Sequence, residues 1–270
     1  MNDLELRKIA EGREAEIFEW EDGTALRLMR SPDAIQAVES EAAALKAAHD
    51  AGVSVPAPHD SVTVNGRPGL VMDNIDGLDL LTLIGTKPWH IWSVGITTGR
   101  LQAEMHEVTA PEGLPSLKES QHRRIQSDRV PPEMVSYAHE VLADLPDRDR
   151  LCHGDFHPGN ILKAGGEYFI IDWSGVARGD PAADYARSQL MLQLGEPPPG
   201  SPFLIRTLAG VGKGVLLSAY RRGYRSHRAP DEELVRRWMV PVMANRLVDG
   251  IEEERSKLLK LLEARLREHN

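Results

Sequence analysis

"LCHGDFHPGNILKAGGEYFIIDWSG", Leu151 to Gly175, packs two histidines, two aspartates and an asparagine into one short segment interrupted by a Gly-Gly pair. Three readings compete for it: a metal cage, a phosphoryl-transfer centre, or a polar turn between two buried strands. Asp155 and Asn160 stand five apart, and the "ILKAGGEYFIID" that follows reads as a hairpin turning at Gly165-Gly166. Folding that hairpin brings Asp172, at the end of its second strand, beside Asn160, just before its first. Two hard oxygen donors on adjacent strand ends suit a magnesium ion holding nucleotide phosphates. Asp155, on the loop just ahead, is placed to orient a hydroxyl and accept its proton.

The other two readings are weaker. His153, Asp155 and His157 alternate, so on a strand they would share a face and could bind zinc. Pro158-Gly159 breaks such a strand, however, and no further ligand cluster lies upstream. Isolated aspartates often cap turns, but a plain turn does not call for the D-x-x-x-x-N spacing together with Asp172. The pattern matches the catalytic loop and metal-binding aspartate of kinases.

Bulk properties narrow the setting. The 270 residues suffice for one large domain or two modest ones, with 41% hydrophobic and 27% charged residues. A single cysteine, Cys152, excludes an internal disulfide and a thiolate metal cage. The net charge of −9 argues against a nucleic-acid partner and is compatible with a cationic one. "MNDLELRKIA" has no apolar run resembling a signal peptide, and no uncharged stretch approaches the roughly 20 residues that cross a bilayer. A cytoplasmic location with no membrane partner is therefore expected.

The chain changes character near residue 75. "IFEWEDGTALRLMR" reads as a hairpin of Ile17–Trp20 and Thr24–Met29 around Glu21-Asp22-Gly23. Ser31-Pro32 looks like an N-cap and first turn opening a helix to about Asp50. "SVTVNGRPGLVMDNI" gives a second strand pair around Asn65-Gly66, so the start reads β-β-α-β-β. Beyond it helical patterns dominate, roughly Trp89–Val108, Glu133–Leu145, Pro181–Leu194, Phe203–Arg222 and a long run from Asp231 to the end. The opening segment is the only strand-like interruption expected there, and "GEPPPGSP", Gly195 to Pro202, reads as a loop. The expected architecture is α+β and bilobal: residues 1–75 a small β-rich lobe with one main helix, residues 76–270 a larger helical lobe.

"HGDFHPGNIL", "IIDWSG" and "GDPAADYA" together resemble the aminoglycoside phosphotransferase and small-molecule kinase family, which has a protein-kinase-like fold. The resemblance is strongest over His153–Asp184 and weak in the last 70 residues. It implies Asp155 as catalytic aspartate, Asn160 and Asp172 as magnesium ligands, and His153 as the histidine bracing the loop. ATP is the implied donor, with GTP left open.

The first lobe fits with departures. "AEGREAEI" matches the glycine-rich phosphate cover only with Ala10 and Ala15 in two glycine places. Gly12 is thus either a nucleotide contact or an ordinary turn glycine. The strand position that carries a lysine holds Arg27, whose forked donors differ in geometry from an ammonium. Glu41 lies on the apolar stripe of the following helix with Val38 and Leu45, so it needs a buried partner, and Arg27 is the natural one. The resemblance places adenine against the backbone near Asp73–Ile75, with Val71 and Met72 lining its pocket; a plain core strand fits the same residues. Asp180 reads as an N-cap ahead of Pro181, and Asp184 as a support for the loop.

Only Trp173 to Gly179 separates Asp172 from that capped helix, leaving no room for a protein-substrate platform and its Ala-Pro-Glu element. A small-molecule hydroxyl acceptor follows. A cationic acceptor such as an aminoglycoside is one option, with "DEEL" (Asp231–Leu234) and "DGIEEE" (Asp249–Glu254) as candidate receivers of amino groups and Trp89 and Trp238 as candidate stacking rings. The rival of a different class is a catalytically silent nucleotide-binding regulatory module.

Overall fold

A computed structural model describes residues 6–12, 14–21, 23–195 and 203–269, for 203–211 the backbone alone. The small lobe is an antiparallel sheet of β1 (Lys8–Glu11), β2 (Ala15–Glu19), β3 (Thr24–Met29), β4 (Pro58–Val64) and β5 (Arg67–Asp73), with α1 (Ile35–Asp50) between β3 and β4. Strand order is β1-β2-β3-β5-β4. Pleating sorts the side chains. Leu26, Leu28 and Val71 pack with Phe18 and Trp20 on the outer face. Ala15, Met29, Leu70 and Met72 join Val38 and Leu45 of α1 on the other.

Two details depart from expectation. β1 is an additional edge strand, and all four of its residues are exposed, so no apolar alternation marks it. Helix α1 begins at Ile35, not at Pro32. The Ser31 carbonyl and Oγ instead accept the Ala34 and Asp33 N–H groups at 3.4 and 3.3 Å, closing a turn ahead of the helix. Asp22 of the first hairpin turn lies outside the described residues.

The larger lobe begins with β6 (Leu78–Asp79) and α2 (Leu80–Thr86), capped by the Asp79 carboxylate, which accepts the Thr82 N–H at 2.8 Å. Then come α3 (Ile91–Met105), α4 (Leu117–Ile125), α5 (Pro132–Ala143), β7 (Arg150–Cys152), β8 (Ile161–Ala164), β9 (Glu167–Ile170) and β10 (Ala177–Gly179). Last are α6 (Pro181–Leu194), α7 (Phe203–His227), α8 (Glu232–Val248) and α9 (Glu252–His269). β8 and β9 form the hairpin read from the sequence, with β6 beside β8, and β7 pairs with β10.

The strands β6, β7 and β10 are two or three residues long, too short to show alternation, so the segment around Leu151–Gly175 is not the only β structure in this lobe. α4 buries only Leu117, Gln121 and Ile125, a stripe too thin to stand out in "LKESQHRRI". The run from Asp231 is two helices, because Gly250 takes a left-handed φ of 72° that ends the first. Of "GEPPPGSP" only Gly195 lies among the described residues. No helix among them is long and apolar enough to cross a membrane.

Candidate active site

The loop between β7 and β8 carries the histidine, aspartate and asparagine of the opening stretch. Gly154 has a φ of 79°, and a Cβ there would overlap the Gly175 carbonyl oxygen, so the second residue of His-Gly-Asp must be glycine. His153 is fully buried; its Nε2 donates to the Ile171 carbonyl at 3.0 Å while Nδ1 accepts the Asp155 N–H at 3.3 Å. Both ring nitrogens are therefore engaged. His157 Nδ1 accepts the Gly159 N–H at 3.0 Å. These bonds brace the loop and leave His153 no lone pair for zinc; among the described residues there is no group of three or more metal-binding side chains of His, Cys, Asp or Glu.

Asn160 and Asp172 come together as the hairpin reading requires. The Ile171 N–H donates to the Asn160 carbonyl at 3.0 Å, which sets the two residues at adjacent strand ends. Asp172 sits in the left-handed region at φ 59°, at the start of a short turn, and its side chain is 45% exposed. Asn160 Nδ2 donates to the Asp155 carbonyl at 2.8 Å and lies 3.4 Å from Asp155 Oδ2. With its nitrogen committed, Asn160 keeps its amide oxygen available. A carboxylate and an amide oxygen form a hard-oxygen set, which fits magnesium or calcium and not a soft metal.

From the small lobe, Arg27 is buried at 6% exposure and spans two carboxylates. Nη1 lies 2.8 Å from Glu41 Oε2 and Nη2 lies 3.3 Å from Asp172 Oδ1. Glu41, at 3% exposure, is pushed by burial up to about 7, against the pull of the Arg27 charge and a bond from the Trp173 N–H. Met72 pairs with Ala25, one position along the same face from the Arg27–Leu70 pair. Val71 points the other way, into the outer cluster, so pleating removes it from the pocket expected for adenine. Asp73 donates its N–H to the Ala57 carbonyl and binds His59 at 2.8 Å, while the Asn74 N–H goes to the Gly23 carbonyl. Of the segment Asp73–Ile75, two N–H groups are thus spent within the lobe.

Gly12 has no positive φ, and a Cβ there would touch nothing closer than the Ala15 carbonyl at 3.9 Å. Its N–H donates to that carbonyl at 2.9 Å, closing the turn between β1 and β2. Its neighbour Arg13 lies outside the described residues.

Asp155 opens onto a cavity of about 660 Å³ bounded by Gly154, Ser174, Arg187, Asn245 and Asp249, with Glu14 of the small lobe at its rim. Burial would raise the Asp155 carboxyl, but the neighbouring His157 ring and the Arg187 charge outweigh it and hold the group down at about 2. Their distances are 3.6 Å from His157 Nε2 and 3.8 Å from Arg187 Nη2. Sequence reading missed Arg187, although it follows Asp184 by three residues on α6 and so shares its face. It also missed Gln102 and His106, which bind Asp184 at 3.0 and 3.1 Å from the last turn of α3 and the residue that caps it. Nothing local in the sequence links those positions.

Asp180 caps α6 as read, accepting the Ala182 N–H at 2.8 Å. The acidic clusters are mostly occupied from within, with Glu252 and Glu253 exposed. Asp231 caps α8, Glu232 and Glu233 pair with Arg225 and Arg236, and Asp249 and Glu254 are bound by arginines. Trp238 is fully buried, and Trp89 is 72% exposed.

No curated protein matches the chain in sequence. Among solved structures it is similar to the amicoumacin kinase hAmiN in complex with AMP-PNP, Ca2+ and amicoumacin, with a TM-score of 0.67, 15% identity, and coverage of 100% of this chain and 90% of that one. A thermostable mutant of the aminoglycoside phosphotransferase APH(4)-Ia with ADP and hygromycin B gives 0.64 at 15% identity, covering 98% and 94%. A choline/ethanolamine kinase family protein from Mesorhizobium loti gives 0.58 at 17%, covering 97% and 86%. At such identities the likeness speaks for the fold, a protein-kinase-like α+β architecture. The profile of the phosphotransferase enzyme family matches residues 5–229, a span that holds the catalytic, metal and nucleotide residues read from the sequence but not the candidate acceptor residues from Asp231 onward, and the chain belongs to that family of small-molecule kinases.

Proposed function

We propose that the protein moves the γ-phosphoryl group of ATP onto a hydroxyl of a small molecule. The observation that carries this reading is the convergence of Asp155, Asn160 and Asp172, with Asp155 lining a cavity and Arg27 reaching Asp172 from the opposite lobe. Residues 1–75 hold the nucleotide, and residues 76–270 hold the acceptor and the catalytic loop. Gly12, Met72, Asp73 and Ile75 flank the nucleotide on the small-lobe side. Asn160 and Asp172 hold magnesium, which supplies charge to offset the phosphates and the developing negative charge of transfer. Arg27, fixed by Glu41, steadies the α- and β-phosphates.

Asp155 orients the acceptor hydroxyl. Its oxygen forms the new bond to phosphorus as the bond to the bridging oxygen breaks; ADP takes that electron pair and Asp155 the proton. A carboxylate held at about 2 is a weak base, so its contribution is orientation first and proton acceptance late, which suits a loose transition state. The reaction draws on ATP, consistent with a cytoplasmic enzyme. Amicoumacin and hygromycin B, bound by structural neighbours, support cationic amino sugars and amino alcohols as members of the first acceptor panel.

The test is product detection by mass spectrometry with magnesium and ATP against aminoglycosides, amino alcohols, sugars and sugar acids. Asp155→Asn should lower kcat by about 10²- to 10⁴-fold and leave nucleotide affinity nearly unchanged. A protein that binds magnesium-ATP but transfers to no acceptor would favour the silent nucleotide-binding module. One that fails to bind magnesium-ATP would end the kinase reading.

A further inference from the structure

The cavity beside Asp155 has a polarity that phosphoryl transfer alone does not require. On its helical side three guanidiniums converge on one carboxylate. Arg124 Nη2 lies 2.5 Å from Asp249 Oδ1, and Arg187 Nη2 and Arg246 Nη1 lie 3.3 and 3.2 Å from Asp249 Oδ2. Glu254 takes the other nitrogens of Arg246 at 2.7 and 2.9 Å. These three cations meet Asp249 and Glu254, with the Asp155 carboxylate 3.8 Å from Arg187 as a third anion, so the cluster is charge-balanced and its guanidiniums are held in place.

Unpaired atoms lie in the same wall. Arg187 Nε is buried with no acceptor, and Gln121 Oε1 and Asn245 Oδ1 are buried with no donor. All three residues line the cavity. Asn245 is only 4% exposed. A buried polar atom left unpaired is costly and rare, so three in one cavity wall mark a surface shaped for a ligand. The two amide oxygens call for hydroxyl donors, and the guanidinium calls for an acceptor oxygen.

The carboxylates offer a cation little. Asp249 is already shared by three arginines. Asp184 is spent on Gln102, His106 and two backbone N–H groups. Asp155 is committed to the acceptor hydroxyl, which leaves Glu14 on the exposed rim. A polycation would have to displace guanidiniums to reach Asp249.

We propose that the acceptor is a polyhydroxylated acid, its carboxylate held by Arg187 and Arg124 and two of its hydroxyls by Gln121 and Asn245. Arg187 lies 3.8 Å from Asp155 Oδ1, so an acid seated on it carries a further hydroxyl to the carboxylate that orients it. This assignment rests on the phosphotransfer reading, and the hydroxyl undergoes the transfer described there, with ADP released and the proton passed to Asp155.

The test uses the full chain with magnesium and AMP-PNP, titrated by calorimetry with gluconate and glucuronate against glucose, glucosamine and hygromycin B. Product formation with ATP is followed on the same compounds. The acids should bind at least about tenfold tighter than glucose and glucosamine. Arg187→Gln should abolish that preference without changing AMP-PNP affinity. Arg124→Gln, at the half-exposed rim, should weaken it in a protein whose folding is not at stake. Tighter binding of glucosamine or hygromycin B, no binding of either acid, or an acid preference that survives both substitutions would overturn the proposal. AMP-PNP binding in those samples reports on the kinase reading separately: nucleotide without acid sinks only the acceptor class, and acid without nucleotide sinks the kinase.

Discussion

Asp184 Oδ1 accepts the Gly154 N–H at 2.8 Å, and the Oδ2 of the same carboxylate accepts the His153 N–H at 3.1 Å. Gln102 and His106 hold Oδ2 from the C-terminal end of α3, and the Tyr220 hydroxyl donates to Gln102 Oε1 from α7. One buried carboxylate therefore ties two helices of the large-lobe core to the loop that carries Asp155. The position of Asp155 is set by that core before any nucleotide arrives, which is the pre-organisation that transfer between two bound substrates needs.

That tie makes stability depend on pH in a defined direction. Burial would raise the Asp184 carboxyl, but the hydrogen bond and charge of His106 outweigh it and hold the group down at about 2, from an ordinary 3.8. A depressed acid contributes stability above its unfolded pKa and loses it as pH falls through the folded one; here the contribution is about 2 kcal/mol. Asp184→Asn lacks it at every pH. Its deficit relative to the parent, measured by urea unfolding, should therefore be full at pH 6 and shrink steadily between pH 4 and pH 2. A deficit that does not change over that range would show that His106 and Asp184 are not charge-coupled.

Gly154→Ala should damage catalysis more than binding. The residue sits at φ 79°, and the added methyl would collide with the Gly175 carbonyl, so the loop must move. Strain of this kind costs about 1–3 kcal/mol. Because Asp155 is the next residue, a displacement near 1 Å lowers turnover by about 100-fold. AMP-PNP affinity should stay within about twofold, a change of under 0.5 kcal/mol. An active, normally stable Gly154→Ala protein would mean that the loop tolerates a different path.

What was legible in the sequence followed chain proximity. Asp155, Asn160 and Asp172 could be brought together because one hairpin with a Gly-Gly turn connects them, and that turn sets their relation. Arg27 and Glu41 were found because a buried charge on a helix stripe demands a partner, and 2.8 Å bears that demand out. The face of β5 was misjudged at Val71, since a strand apolar on both faces does not reveal which residue meets the helix and which the outer cluster. Gln102 and His106 reach Asp184 across 82 and 78 residues of chain, and Arg187 reaches Asp249 across 62, which no local pattern encodes. The break at Gly250 was written plainly in Asp249-Gly250 but was overshadowed by the acidic residues after it.

Arg27 carries the last prediction, because one planar side chain serves two partners. In Arg27→Ala, Glu41 remains buried without its cation, a loss of about 3–5 kcal/mol if the carboxylate stays charged. It need not stay charged, since burial already pushes Glu41 up to about 7 from 4.5. With the cation gone its pKa rises further, so the folded state binds a proton that the unfolded chain releases above 4.5. A raised acid loses stability as pH rises from the unfolded value to the folded one. The deficit of Arg27→Ala should therefore be small near pH 6 and grow toward pH 8, and adding Glu41→Gln should restore much of the stability at pH 8. Arg27→Lys should fold well, because one ammonium can hold Glu41, yet it has no second nitrogen for the Asp172 side. Its KM for ATP should rise about tenfold, or 1.4 kcal/mol, with kcat much less affected. An unchanged KM would show that Nη1, not the Nη2 that faces Asp172, carries the nucleotide contact.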